Sequence, residues 1–272
     1  MNSIATNRAA IRVQYHGIKN TKNETGAFTR LASGMRITNA SDDAAGLFIA
    51  GRMKAQISGL ERAVQNSFDG VSLVNTAESN LNEIRNMVLR MREVAVQMAN
   101  GIYLDNPDRT FAQIEIDQLI QQADLIAVNA NFNGVALLDG TMQNIGIQTG
   151  PTANERPSIF FTDNTSSGLG IDTVNVSTQV NAKAAMTTLE TALTSISDEL
   201  SRAGAYANRF GHTISVLEQT SKVTKIARGR IMDADMADES TRLTKAQVLS
   251  QANTAMLAQA NQSMSQLLSL FN

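Results

Sequence analysis

Three stretches of this chain repeat apolar residues at alternating spacings of three and four. The first runs Val74, Ala77, Leu81, Ile84, Val88, Met91, Ala95 and Met98. The second is Ala112, Ile116, Leu119, Ala123, Ile126 and Ala130, and the third is Leu189, Leu193, Ile196, Leu200, Ala203, Ala207, Phe210, Ile214 and Leu217. So narrow a stripe is the seam of a coiled coil. Forty-five helical residues reach about 68 Å, and a single rod of that kind cannot bury its own stripe. Three rods from one chain can bury theirs on each other. The 35 Ala, the absence of Trp and the 12 aromatics in 272 residues suit long, closely packed helices, not a sheet-built enzyme core. The expected fold is mainly α: a long antiparallel helical rod or coiled-coil bundle with a small β-hairpin region.

Proline marks the divisions. Residues 1–106 and 158–272 contain none, and Pro107, Pro151 and Pro157 lie between or at the edges of these blocks. After a break at 101–105, Asn106 as N-cap and Pro107 at the first helical position predict the start of a fresh helix. The middle, about 135–182, collects Gly134, Gly140, Gly146, Gly150, Gly168 and Gly170. Its segments 144–148 and 158–162 are short, β-branched or aromatic, and bounded by turn residues, so they read as strands. The region is too small for a substantial core of its own. Its Ser and Thr residues (Thr149, Thr152, Ser166, Ser167, Ser177, Thr178) offer hydroxyls for O-glycosylation, although no local motif fixes it.

The two ends are unusual. From Ala246 to Asn272, 27 residues carry no ionisable side chain. Leu249, Ala252, Met256, Ala260, Ser263, Leu267 and Leu270 still keep a helical rhythm there, opposite a face of Gln, Asn and Ser. A helix meant for water normally shows charge on its outer face. A charge-free amphipathic helix suits burial among protein surfaces, with order gained on assembly. The N-terminus offers a partner stripe at Ile4, Ile11 and Ile18, then Phe28, Leu31 and Met35.

Chemistry is sparse. The 23 basic and 25 acidic side chains give a net charge of -2, which excludes a general nucleic-acid binder. With no Cys and only His16 and His212, thiolate and His-rich metal sites are excluded. The acidic run 233–239 lacks the Gly and the closing Glu of a calcium loop, and reads as helix capping at a hinge. Asp42 and Asp43 diverge on a helix, and acids are favoured in a first turn after Ser41. No catalytic residue, metal site or cofactor is assigned, and the chain is not read as an enzyme. No signal-peptide-like run opens the chain and no apolar stretch is long enough to span a membrane. The first 40 residues carry six basic side chains and only Glu24 as acid, a targeting-like composition that runs on without a cleavage-like break.

Ser33-Gly-Met-Arg-Ile37, followed by Asp42-Asp-Ala-Ala-Gly46, resembles the N-terminal signature of bacterial flagellins. Asn66 to Val71, Arg90 to Gln97 and Phe132-Asn-Gly-Val135 extend the resemblance. Arg230-Ile231, Ala246-Gln-Val-Leu249, Leu257 to Gln262 and Leu267 to Leu270 carry it at the other end, so it covers about 1–140 and 183–272. A hook–filament junction protein shares parts of this layout, and a flagellin-like cell-surface binding protein is a further alternative.

The resemblance implies a structural subunit that self-assembles into the flagellar filament for swimming motility. It implies an inner domain of paired terminal helices (1–43 with 229–272), a helical rod domain (44–140 with 183–228) and a short β-rich insert (141–182). Filament-core assembly then falls to Ile4, Ile11, Ile18, Phe28, Leu31, Leu249, Met256, Leu257, Leu267 and Leu270. Ser33, Gly34, Arg36, Asp42 and Asp43 would link the layers. The implied partners are copies of the chain itself in a helical homopolymer, the flagellar cap, hook-associated junction proteins and an export chaperone, with no nucleic acid and no membrane. The implied location is the extracellular filament, reached by type III export without a cleaved signal peptide. Arg90, Val94 and Glu115 match positions recognised by the Toll-like receptor that senses flagellin, or contacting a neighbouring subunit. The family has Leu where Val94 stands, which implies weaker recognition. Thr38 replaces a frequent Asn, Ser263-Met-Ser265 stands where a Pro is common, and the large outer domains are missing.

Overall fold

The computed structural model describes residues 6–142 and 144–269. Its helices are α1 (Arg8–Ser33), α2 (Ala44–Met98), α3 (Thr110–Asn129), α4 (Gln179–Met232) and α5 (Met236–Ser269). Two short antiparallel strand pairs complete the elements: β1 (Asn131–Phe132) with β2 (Val135–Ala136), and β3 (Ile145–Gly146) with β4 (Ser158–Ile159). The chain is mainly helical, as the stripes require, and it divides into two compact units. One comprises Met1–Ala55 and Val223–Asn272, the other Gln56–Lys222.

The second unit holds the large core. Every residue of the 74–98 stripe is buried there, and Leu81, Ile84, Val88 and Met91 are fully enclosed. The stripes of α3 and α4 join them through Ile116, Ala123, Leu189, Ile196, Ala203 and Phe210. Within this unit α2 and α4 run antiparallel: Leu60 and Ala63 cluster with Leu217, the edge of Gly70 faces the Phe210 ring, and Arg92 pairs with Glu190 at 3.5 Å. A Cβ at Gly70 would sit 3.2 Å from the ring, so the missing side chain lets the ring lie against the helix. The middle segment does not form a core of its own. Leu137, Leu138, Ile159, Phe161, Ile171 and Val176 enter the same cluster as the helices, which is how so few residues bury their apolar surface.

Two local details differ from the sequence reading. The helix after the break begins at Thr110, not at Asn106–Pro107. Residues Asp105–Arg109 form a π-helical turn instead, with Asn106 extended at φ -135° and ψ 126° and a cis bond to Pro107. Arg109 holds this turn from inside: its buried guanidinium donates to the carbonyls of Met98, Asn100 and Tyr103 and to Asp105 Oδ1. The second detail is the β1–β2 hairpin, turned by Asn133 and Gly134 at φ 51° and 78°. Consecutive positive φ angles are the signature of the tight turns that Asn-Gly favours.

In the first unit α1 and α5 pack along each other. Asn7 caps α1, accepting from the Ala10 N–H at 3.0 Å, and Gly34 ends it in the left-handed region at φ 69°, its N–H donating to Arg30 O. Asp235 caps α5, accepting from Ala237 and Asp238 N–H, so capping is indeed what part of the acidic run does. A small cluster of Ile37, Ala50 and Met232 fixes the neighbouring ends of α2 and α4 within this unit.

Candidate assembly surface

The α1–α5 pair is antiparallel, as three polar contacts along it show. Asn7 Nδ2 donates to Ala260 O at 3.1 Å, Asn20 Nδ2 to Ala246 O at 2.7 Å, and Arg30 Nη1 lies 3.2 Å from Glu239 Oε1. On α1 the covered positions are Ala10, Val13, Gly17, Asn20, Glu24, Ala27 and Leu31. On α5 they are Glu239, Leu243, Ala246, Ser250, Asn253, Leu257, Ala260 and Met264. Both sets step by three and four, so this is a heptad seam, but one built largely of small and polar residues. Ala and Gly let the two backbones approach, and at that distance Asn20 reaches the facing carbonyl.

Most of the residues anticipated from the sequence lie one position off the seam around each helix, a rotation of about 100°, although Leu31, Leu257 and Ala260 fall on it. Ile11 and Ile18 therefore do not face α5 within the chain. Ile18 is 73% exposed, Phe28 63% and Met256 57%; Ile11 and Leu249 are exposed as well. Tyr15 and Val248 extend the same surface. Leu31 and Leu257 are half-buried at the seam. Ile4 and Leu270 lie outside the described residues, as does the side chain of Leu267. Each helix thus carries two adjacent stripes, a small-residue one used within the chain and a bulky apolar one left outside.

The linker residues are locked by hydrogen bonds. Ser33 Oγ accepts from Met35 N–H, and Gly34 O accepts from Ala234 N–H at 2.9 Å. Arg36 N–H donates to Met232 O at 2.7 Å, and its guanidinium donates to Ile231 O, also at 2.7 Å. Asp42 Oδ2 accepts from Thr38 N–H and Oγ1 and from Asn39 N–H, at 2.9–3.1 Å. Those bonds, Thr38's first, hold the Asp42 carboxyl below its ordinary pKa. Asp43 Oδ1 accepts from Gly46 N–H at 2.8 Å and is itself the cap of α2, the place the sequence reading gave to the neighbourhood of Ser41. A Cβ on Gly46 would collide with that carboxylate and with Ile37, so the motif needs its glycine.

Arg90 and Glu115 are exposed and joined: Arg90 Nη2 lies 2.8 Å from Glu115 Oε1, and Arg90 Nη1 lies 3.2 Å from Glu93. The hydrogen bonds to Glu115 and then Glu93 raise the Arg90 pKa further. Val94 is different. It is 3% exposed and belongs to the helical core, so it offers no surface to a partner. Its place in the heptad rhythm, three after Met91, carried that information.

The N-terminal helical region of bacterial flagellins matches residues 4–143, and the C-terminal helical region of the same family matches 186–271. A flagellin of Halalkalibacterium halodurans is 38% identical over 238 residues, covering 87% of each chain. The chain belongs to the bacterial flagellin family. The crystal structure of Bacillus cereus flagellin is 32% identical and superposes with a TM-score of 0.51, covering 56% of this chain and 88% of that one. A flagellar hook-associated protein of Vibrio parahaemolyticus superposes with a TM-score of 0.59, covering 71% of this chain and all of that one, but at 13% identity. That likeness concerns the fold alone and does not favour the junction-protein alternative over a filament flagellin. The family is a structural one, and among the described residues no helix is long and apolar enough to cross a membrane.

Proposed function

We propose that this flagellin builds the filament by nesting the bulky outer stripes of α1 and α5 against neighbouring copies. The observation that carries this reading is the pair of stripes. The helices use Ala, Gly and Asn to meet each other and leave Ile11, Ile18, Phe28, Leu249 and Met256 outside. Beside them, α5 has no charge beyond Lys245 that desolvation would penalise. Burying the exposed remainder of each such side chain is worth about 1–2 kcal/mol. Head-to-tail contacts that do not close on themselves make helical filaments, not rings.

In this reading 1–43 with 229–272 line the filament's core, and 44–140 with 183–228 surround it, with 141–182 as their insert. Ser33, Gly34, Arg36, Asp42 and Asp43 form the join. The subunit leaves the cell by flagellar type III export, travels with an export chaperone, and meets the hook-associated proteins and the cap at the filament ends. Recognition by the flagellin-sensing Toll-like receptor falls to Arg90 and Glu115, weakened by the burial of Val94.

Seeded elongation tests the proposal. Purified chain added to short filament fragments lengthens them into uniform filaments. Persistent monomer across salts and temperatures would overturn the reading and favour a flagellin-like binding protein.

A further inference from the structure

The charge of this chain is unevenly spread. Residues 1–55 with 223–272 carry 13 Lys and Arg against seven Asp and Glu, while 56–222 carry ten against 18. A near-neutral chain therefore holds one basic unit and one acidic unit. Much of the positive charge stands on α1, whose cations are Arg8, Arg12, Lys19, Lys22 and Arg30. Arg30 is engaged within the chain, with Asp42 at 3.8 Å and Glu239 at 3.2 Å. The other four are exposed and have no ion-pair partner among the described residues. Glu24, the only acid of α1, is half-buried at the α5 seam.

Helical spacing sets these charges beside the bulky outer stripe. Ile11, Tyr15, Ile18 and Lys22 step by four, three and four along one exposed face. Arg8, Arg12 and Lys19 lie along one edge of that face, about 60–100° around the helix from Ile11. The other edge carries the uncharged Gln14 and Thr21. The seam with α5 holds the helix from behind, so this basic amphipathic surface is already formed in the single chain.

Three kinds of partner can be weighed against it. The charge-free part of α5 in a second copy can cover the stripe, but it offers the four cations no acid. A nucleic acid would pair the cations and leave Ile11, Tyr15 and Ile18 against water. An anionic lipid surface does both. Its acyl boundary takes the apolar side chains, its headgroup level suits the tyrosine, and the Lys and Arg stems reach back to the phosphates.

We propose that the unassembled chain binds the surface of anionic lipid bilayers through this face of α1. The helix lies on the bilayer and does not cross it, since no helix among the described residues is long and apolar enough to do so. This goes beyond the assembly reading and revises the expectation of no membrane partner. Bilayer and second copy compete for Ile11 and Ile18, so assembly releases the chain from lipid.

The test uses the full-length chain without seeds. It is sedimented with vesicles of phosphatidylcholine alone and with vesicles containing phosphatidylglycerol. Partition onto the anionic vesicles should be at least about tenfold tighter, and added salt should weaken it. Arg12→Gln, Lys19→Gln and Lys22→Gln together should abolish that preference. Circular dichroism should stay unchanged, because these exposed side chains pair with nothing among the described residues. Ile18→Ser should weaken partition onto the anionic vesicles too, which separates insertion from plain charge attraction. Equal partition onto both vesicle types, or none onto either, overturns the inference. So does a triple variant that binds anionic vesicles as tightly as the wild type. If that variant also stops elongating seeds, the cations belong to the acidic unit of a second copy instead. A wild-type chain that binds vesicles but never lengthens seeds defeats the assembly reading and leaves this one standing.

Discussion

The core around Ile84 and the α1–α5 pair are both heptad seams, yet they are filled in opposite ways. In the first, Leu81, Ile84, Val88, Met91, Leu189 and Ile196 turn inward and none is left to water. In the second, the buried positions go to Ala10, Asn20, Ala27, Ala246 and Ala260, with Val13, Leu31, Leu243, Leu257 and Met264 only half-buried among them, and Ile11, Ile18, Phe28, Leu249 and Met256 turn outward. A seam of Leu and Ile gains free energy from burial within the chain. A seam made largely of small and polar residues gains less, so α1 and α5 rely more on backbone approach and on polar contacts such as those of Asn7, Asn20 and Arg30. The difference separates two tasks. One region buries its bulky apolar residues within the chain, and the other leaves Ile11, Ile18, Phe28, Leu249 and Met256 exposed, which the proposed assembly would bury.

Removing 246–272 should break the comparison most completely. Elongation from seeds should be abolished, while cooperative urea unfolding of the 56–222 core persists, because no residue of that core cluster lies in the deleted segment. Filaments formed by the truncated chain would show that the outer stripe of α5 is dispensable.

The paired substitutions Ile84→Ala and Ile18→Ala sharpen it. Ile84 is fully buried, so its truncation should cost about 2–5 kcal/mol in chemical denaturation. Ile18→Ala should change monomer stability by less than about 0.5 kcal/mol yet raise the critical concentration for assembly. Equal losses of monomer stability from both would mean that Ile18 is covered within the chain after all.

A smaller effect is expected at the end of α1. Asn7→Ala removes the cap on Ala10 N–H and the bond to Ala260 O together, and should cost the α1–α5 pair about 1 kcal/mol. Hydrogen exchange should then quicken in α1 and α5 and leave α2 from residue 74 onward unchanged. Uniform quickening would argue that the two units unfold as one.

The mildest test is acid. The Asp42 carboxyl has a lowered pKa in the folded chain, so it favours the folded state fully above its unfolded value of about 4. That contribution is lost as pH falls through the folded value. Asp42→Asn should flatten the acid limb of the α1–α2 linker's hydrogen-exchange protection. An unchanged limb would assign the acid response to other carboxylates, of which Asp139, lowered by its bonds from Thr141, is one.

Much of this was legible beforehand. Val74 to Met98 and Leu189 to Leu217 announce their helices and inward faces, because large apolar residues at helical spacing leave few alternatives. The strands near 145 and 158 were readable from β-branched residues between turn formers, and the Asn133-Gly134 signal was present though unread. Arg109 was not legible. A lone arginine after Pro107 looks like any surface cation, and only the fold turns three carbonyls towards it. Nor was the role of Glu239, one acid in a run of four, three of which stay at least partly exposed.

The sequence by itself determined which residues are helical and which helix faces are apolar, since both follow from local spacing. On α1 and α5 it offered two neighbouring stripes, one bulky and one small, and spacing alone cannot rank them. The tertiary structure decided between them. Small side chains let two backbones come close enough for Asn20 to reach Ala246 O, and that closeness depends on a partner more than 200 residues away.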